Sequence, residues 1–308
     1  MMRSLFSAVS GLKNHQTAMD VIGNNVANVN TTAYKGSRVL FQDMYSQTLA
    51  AATAPTATSG GVNANQIGLG VQVSAIGMNM TEGNTQTTSN ALDLAVAGDG
   101  FFVVSDTTGG YEYTRNGAFS LDKDGYLITT QGNYVMGVTE DHDPAIASTI
   151  DNGDIIVSGG KPQVGKLRLS GTETINGTTY EYSNYAIDTN GVISASIKTT
   201  ITSGGNTTVN TAVQPVGRLV LANFNNTSGL ERAGSSNYSQ SLNSGTPTYN
   251  FVNDGGAGTL KIGSLEMSNV DLANELTNML VVQRGYQANS RVITTSDSML
   301  EELINLKR

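Results

Sequence analysis

Two helical stripes, one at each end of the chain, with a long β-patterned stretch between them, restrict this sequence more than any other feature. Near the C-terminus Leu272, Leu276, Met279, Tyr286, Ile293, Leu300 and Ile304 recur at steps of three and four, with Gln283, Ser290 and Asp297 as the polar positions of the same seam. The spacing predicts a helix from about Asp271 to Leu306, roughly 54 Å long at 1.5 Å per residue. Ser268-Asn269-Val270-Asp271 offers cap residues, and Glu275 lies in the first turn, where the helix dipole favours an acid. Lys307 and Arg308 close the far end with the complementary sign. Between Met2 and Asn30, Leu5, Val9, Leu12, Met19, Ile22, Val26 and Val29 mark a second stripe, broken at Gln16 and Gly23. A helix as long as the C-terminal one cannot cover its stripe on a small domain and needs a partner of similar length. The other helical pattern is at the opposite end. The expected fold is therefore α+β, with long N- and C-terminal helices forming a coiled coil and an all-β, mostly antiparallel domain inserted between them.

The middle reads as strands and turns. Residues 70–76 alternate, and Asp93-Leu94-Ala95-Val96 leads through Gly98-Asp99-Gly100 into Phe101-Phe102-Val103-Val104. Tyr111–Thr114 and Ala118–Leu121 flank Asn116-Gly117, a turn dipeptide. Asp122-Lys123-Asp124-Gly125 and Asn190-Gly191 mark further tight turns. Later strands are expected at Lys166–Leu169, Tyr180–Ile187, Val192–Ile197 and Gly217–Phe224. Residues 49–65, free of charge and rich in Ala, Thr, Ser and Gly, read as a linker, and Thr199–Thr211 as a polar loop. The division that follows is an N-terminal helical segment 1–45, an extended linker with a β segment 46–85, a β-rich domain 86–263 in which 139–215 holds a small sub-domain, and a C-terminal helical segment 264–308.

Composition removes several classes of function. The formal net charge is −8 and the 17 basic residues are scattered, which argues against nucleic acid and against a membrane-surface patch. No stretch approaches the roughly 20 apolar residues of a membrane span. There is no Cys, so disulfides, thiolate metal sites and a Cys nucleophile are excluded. The first residues lack the apolar core and cleavage motif of a signal peptide, which leaves a cytoplasmic chain or one exported by a route that needs none. His15 falls within the N-terminal helix. His142, in Glu140-Asp141-His142-Asp143-Pro144, has no spaced second ligand, so the turn reads as a solvated loop and not as a metal site. Asp122–Gly125 lacks the later ligands of a calcium loop, and Gly98-Asp99-Gly100 leads into a strand, not the helix of a dinucleotide site. No catalytic, cofactor or metal residues are assigned. Termini this apolar would aggregate in a monomer, so they imply an assembly, and head-to-tail contacts that do not close give a helical polymer.

Several blocks resemble the bacterial flagellar rod and hook family. The stretch Val21-Ile22-Gly23-Asn24-Asn25-Val26-Ala27-Asn28-Val29-Asn30-Thr31-Thr32-Ala33-Tyr34-Lys35 is similar to its N-terminal signature, as is Ala8-Val9-Ser10-Gly11-Leu12. Residues 66–71, Gly98–Phe102 and Tyr113–Phe119 resemble its first β segments, and Ser268–Leu272 with Gln283–Ser290 its C-terminal block. The signature residues are Gly23, Asn24, Asn25, Ala27, Asn28, Tyr34 and Lys35. The resemblance implies a self-assembling structural subunit of an axial tube and no enzyme. Paired terminal helices would form an inner layer and the β domain an outer one. It implies export through the flagellar type III apparatus without a cleaved signal peptide, a place in the extracellular part of the flagellum, and as partners other copies, the distal rod, hook cap and hook–filament junction proteins. Residues 293–300, 305–308 and 185–193 resemble hook subunits, which form the flexible joint that passes motor torque to the filament. The segment after Tyr45 resembles the distal rod subunit, a drive shaft, as well. The hook is the expectation and the distal rod the alternative; a surface β adhesin would not need both helical ends.

Overall fold

The computed structural model describes residues 2–56, 60–105, 109–139, 157–158, 161–162, 165–169, 171–175, 178–203 and 206–306. His142, Lys307 and Arg308 lie outside the described residues. The chain divides into two compact units. Unit 1 comprises Met1–Val29, Lys35–Asn79 and Val270–Arg308, and unit 2 comprises Asn30–Tyr34 and Met80–Asn269.

Unit 1 consists of two helices and a ribbon. Helix α1 spans Met2–Ala27 and helix α2 spans Leu272–Asn305. The start of α2 is fixed by Asp271, whose side chain accepts from the backbone N–H groups of Ala273 (2.9 Å) and Asn274 (3.3 Å), and Glu275 occupies the first turn. Such a cap stabilises a helix by about 1 kcal/mol. Strand β1 (Ser37–Asp43) pairs antiparallel with β4 (Val71–Met78), and β2 (Ser46–Ala50) pairs antiparallel with β3 (Asn65–Gly68). A bridge between Thr53 and Val62 carries the ladder further. Among the described residues, both ends of the uncharged stretch read as a linker are thus paired in a hydrogen-bonded ribbon. Cross-strand contacts such as Gln66 Nε2 to Thr48 Oγ1 (3.0 Å) supply the pairing that charge and bulk do not.

Helix α1 anchors this ribbon with polar side chains. The Asn25 carboxamide donates to Ser37 O (2.7 Å) and accepts from Ser37 N–H (3.0 Å), so it meets the start of β1 as a neighbouring strand would. Asn14 Nδ2 donates to Val71 O (2.6 Å) at the start of β4. Gly70, with φ of +130°, lets the backbone reach Ser10, where any Cβ would collide with the hydroxyl.

Unit 2 is built on antiparallel pairs, and its largest sheet runs in the order Gly171–Ile175, Thr178–Ile187, Val192–Ser203, Asn206–Asn223, Phe101–Ser105, Tyr111–Thr114, Asn237–Ser239, Glu231–Gly234. The mostly antiparallel β region between two terminal helices is as expected. The polar loop expected at Thr199–Thr211 is instead strand on both sides of a hairpin, with Thr199 opposite Asn210 and Ser203 opposite Asn206. Its threonines are β-branched and suit a pleated strand as well as a loop. Asp122–Gly125 closes the hairpin between Phe119–Leu121 and Leu127–Thr129, and Asn190-Gly191 the one between Thr178–Ile187 and Val192–Ser203. Asn116-Gly117 does not close a hairpin. The two strands it joins pair with different partners, and Gly117 is held against the main chain of Leu94, where a Cβ would strike the carbonyl.

The core of unit 2 is apolar, with Leu94, Phe102, Leu127, Leu167, Leu219 and Leu221 all buried. Phe102 meets Phe119 edge to face, with centroids 5.1 Å apart. Nearby, burial pushes the Tyr238 phenol up to about 12, and Tyr113 and Tyr249, whose hydroxyls lie 2.9 Å apart, are raised as well. A raised folded-state value means that the folded chain holds the proton more tightly. The stabilisation is fully present below the ordinary tyrosine value near 10 and is lost as pH rises through about 12. Thermal melts between pH 9 and 12 should show Tyr238→Phe losing less stability across that window than the wild-type chain, by on the order of 2 kcal/mol. Equal losses would place Tyr238 in contact with water.

Candidate assembly surface

Helices α1 and α2 lie against each other and run antiparallel: Gly11 faces Asn289, His15 faces Gly285, and Asn25 Nδ2 donates to Glu275 Oε1 at 3.3 Å. The buried positions of α1 are Ala8, Gly11, Ala18, Ile22 and Asn25, again at steps of three and four once half-buried His15 is included. On α2 the corresponding face carries Met279, Gly285, Asn289, Ile293, Ser296 and Leu300, of which Ser296 is fully buried. A Cβ on Gly11 would come within 2.5 Å of Asn289 Nδ2, and one on Gly285 within 2.8 Å of the His15 imidazole. Where Gly11 meets Asn289 and Gly285 meets His15 the two backbones lie close, and Ile22, Met279, Ile293 and Leu300 share the face with these small and polar residues.

That choice decides where the large apolar residues go. Of the stripe residues, Ile22 is buried, while Leu5, Val9, Leu12, Met19, Val26, Met279, Ile293 and Leu300 are half-buried. Leu272, Leu276, Tyr286 and Ile304 are exposed, at 43%, 45%, 37% and 67%. The ribbon exposes Leu40, Phe41, Tyr45 and Leu49 as well. Among the described residues, every exposed large apolar side chain except Val209, Val213, Leu242 and Ile262 belongs to unit 1. The buried apolar residues of that unit are Ala8, Ala18 and Ile22. Unit 1 has an apolar surface and almost no apolar core.

The signature residues divide by role. Asn25 pins β1, and Asn24 accepts from Asn28 Nδ2 through its carbonyl (2.9 Å) and its side-chain oxygen (3.0 Å). Tyr34 and Lys35 are buried, Ala27 is exposed, and a Cβ on Gly23 would meet nothing within 4 Å. Reading the stripes from large apolar residues alone missed Ala8, Gly11, Ala18, Gly285, Asn289 and Ser296. Their three-and-four spacing was the available signal, hidden because small and polar side chains were not counted as a seam. The described residues contain no cluster of metal-ligating side chains, and no helix among them is long and apolar enough to cross a membrane. What this surface can do is associate. Gly11→Leu should drive a branched side chain into Asn289 and loosen the helix pair by about 1–3 kcal/mol. The expected result is faster amide exchange along α1 and α2 with the β core unchanged, and unchanged exchange along both helices would remove Gly11 from the seam.

Three family models match the chain in order: one described as flagella basal body rod protein over residues 5–35, one as flagellar hook protein FlgE/F/G D1 domain over 95–195, and one as flagellar basal body rod FlgEFG protein C-terminal over 262–306. The flagellar basal-body rod protein FlgG of Bacillus subtilis is 43% identical over 309 residues, covering the whole of both chains. The FlgG protein of Agrobacterium fabrum is 35% identical over 97% of each chain. The flagellar hook protein FlgE of Borreliella burgdorferi is 30% identical, the alignment running to 453 residues and covering all of both. The chain therefore belongs to the flagellar basal-body rod and hook protein family and is a structural protein, not an enzyme.

Proposed function

We propose that the chain is a rod subunit of the flagellar basal body that polymerises through unit 1. The observation that carries the rod reading is the ribbon. A drive shaft must resist bending, and the segment between the two units' first elements is a paired two-stranded arm docked on α1, not a slack tether. Its exposed Leu40, Phe41, Tyr45 and Leu49 give neighbouring copies apolar surface to hold. The alignment with the Bacillus subtilis rod protein spans 309 residues against the 308 of this chain, whereas that with the Borreliella hook protein extends to 453. This supports the same reading.

In the polymer, α1 and α2 form a coiled-coil inner layer, and Leu272, Leu276, Tyr286 and Ile304 are covered by neighbouring copies. The segments 1–45 and 264–308 act together in that layer, 46–85 stiffens the joints between copies, and 86–263 forms the outer layer, with 139–215 as a small sub-domain of it. Other axial proteins cap and continue the tube, and the chain reaches its place through the type III export apparatus. A hook subunit is the second reading. It is favoured by the low charge of the chain, 14% Asp, Glu, Lys and Arg, because Thr, Asn and Ser surfaces exchange hydrogen bonds at small net cost as copies slide.

Electron cryomicroscopy of polymers from the purified chain tests the choice: straight, stiff tubes are expected, and curved tubes would favour the hook. Deleting residues 51–61, which removes Thr53 of the Thr53–Val62 bridge, should lower bending stiffness while leaving polymers able to form. A deletion that left stiffness unchanged would remove the ribbon's role. Leu276→Asp should abolish polymers at concentrations where the wild-type chain assembles, because an unpaired carboxylate buried in an apolar contact costs several kcal/mol. Unit 2 should melt as before, and normal polymers would show that Leu276 faces no neighbour.

A further inference from the structure

The chain passes between its two units four times, after Val29, Tyr34, Asn79 and Asn269. The parts of unit 2 beside these passages are residues 30–34, 80–87 and 264–269, and hydrogen bonds gather all three around Glu266. Ala33 N–H donates to the main-chain oxygen of Glu266 at 2.8 Å. Gly83 N–H donates to Glu266 Oε1 at 2.9 Å. Glu266 also stands opposite Thr85 in the ladder between Ser264–Glu266 and Thr85–Thr87. One residue further, Met267 N–H donates to Asn84 O at 2.8 Å. Asn269 then reaches both other segments, its N–H donating to Tyr34 O (3.4 Å) and its Nδ2 to Thr81 O (3.1 Å).

Two backbone details show how closely the segments are fitted. Ala33 is buried and holds a φ of +56°, a region that residues with a Cβ seldom adopt. Gly83 lies where any Cβ would collide with the carbonyl of Met267. The Glu266 side chain then ties the gathering to the core. It is 1% exposed, and Arg115 Nη1, on a residue 4% exposed, lies 3.7 Å from its Oε2. The same nitrogen donates to Val96 O at 3.4 Å, and the guanidinium stands 5.1 Å above the Phe101 ring. Removing one member of a buried charge pair strands the other, so this carboxylate is a point of control and not an interchangeable contact.

We propose that Glu266 is a positioning residue of the assembled protein, fastening at one buried point every segment that joins unit 2 to unit 1, with Arg115 anchoring that point to the β core. Every covalent path by which a load on the unit 1 helices enters unit 2 runs through these segments. The load rests on the subunit reading above, whereas the fastening stands without it.

Amide hydrogen exchange on the full-length monomer tests the fastening. In Glu266→Ala, the amides of Ala33, Gly83, Met267 and Asn269 should lose protection together by tenfold or more, while those of Phe102 and Leu221 keep theirs. Gly83→Ala, which forces a methyl onto Met267 from the opposite segment and leaves both charges in place, should release the same amides. Loss confined to Gly83, the amide that bonds the carboxylate directly, would overturn the proposal. So would a parallel loss in the core with both variants, which would make Glu266 one more residue that holds the fold. Failure of the wild-type chain to polymerise would overturn the subunit reading, and the exchange pattern would still decide the fastening.

Discussion

The close approach of α1 and α2 through Gly11, Ala8, Ala18 and Gly285 is the contact on which the rest of unit 1 depends. Small residues allow the two backbones to come together, and Leu272, Leu276, Tyr286 and Ile304 of the α2 stripe stay exposed beside the seam. Fixing a residue in a helix costs about 1–2 kcal/mol of conformational entropy, and most of the apolar side chains that could offset it here are only half-buried or exposed. The polar contacts help: Asn25 ties α1 to β1, Asn14 ties it to β4, and Asp271 caps α2. What remains is a pair of helices and a ribbon whose apolar groups are still in contact with water. A surface of that kind is one that a partner can cover.

Unit 2 follows the opposite logic. Among its described residues most of the large apolar side chains are buried or half-buried in the sheet core, and Val209, Val213, Leu242 and Ile262 are the large ones left exposed. The chain thus divides into one part that folds around a core and another that leaves most of its large apolar side chains exposed or half-buried.

The ribbon shows how little composition says about stiffness. A stretch of Ala, Thr, Ser and Gly without charge has the make-up of a flexible tether. Here the flanking strands, β1 with β4 and β2 with β3, hold it as a ladder. Pairing is decided by what lies opposite each residue, and a local reading sees one strand at a time. For the same reason the Thr199–Thr211 stretch reads as a loop when taken alone and is strand in a hairpin.

The order and kind of the parts were legible in the residues alone. Period fixed the two helices, because stripes at steps of three and four survive any packing. Asp271 fixed where α2 begins, because a cap needs a short side chain just before the first turn. Asp122–Gly125 and Asn190-Gly191 fixed two hairpins, because a left-handed position selects glycine. The signature blocks fixed the family. Packing alone settled which face of each helix meets the other. The stripe and the seam share a period and overlap at Ile22, Met279, Ile293 and Leu300, and spacing cannot tell which of the remaining positions is covered. Packing also decided that Gly117 serves a close approach to Leu94 and that Glu266 gathers three segments distant in sequence. Contacts between residues far apart in the chain leave no periodic trace, so they become visible only once the fold has brought them together.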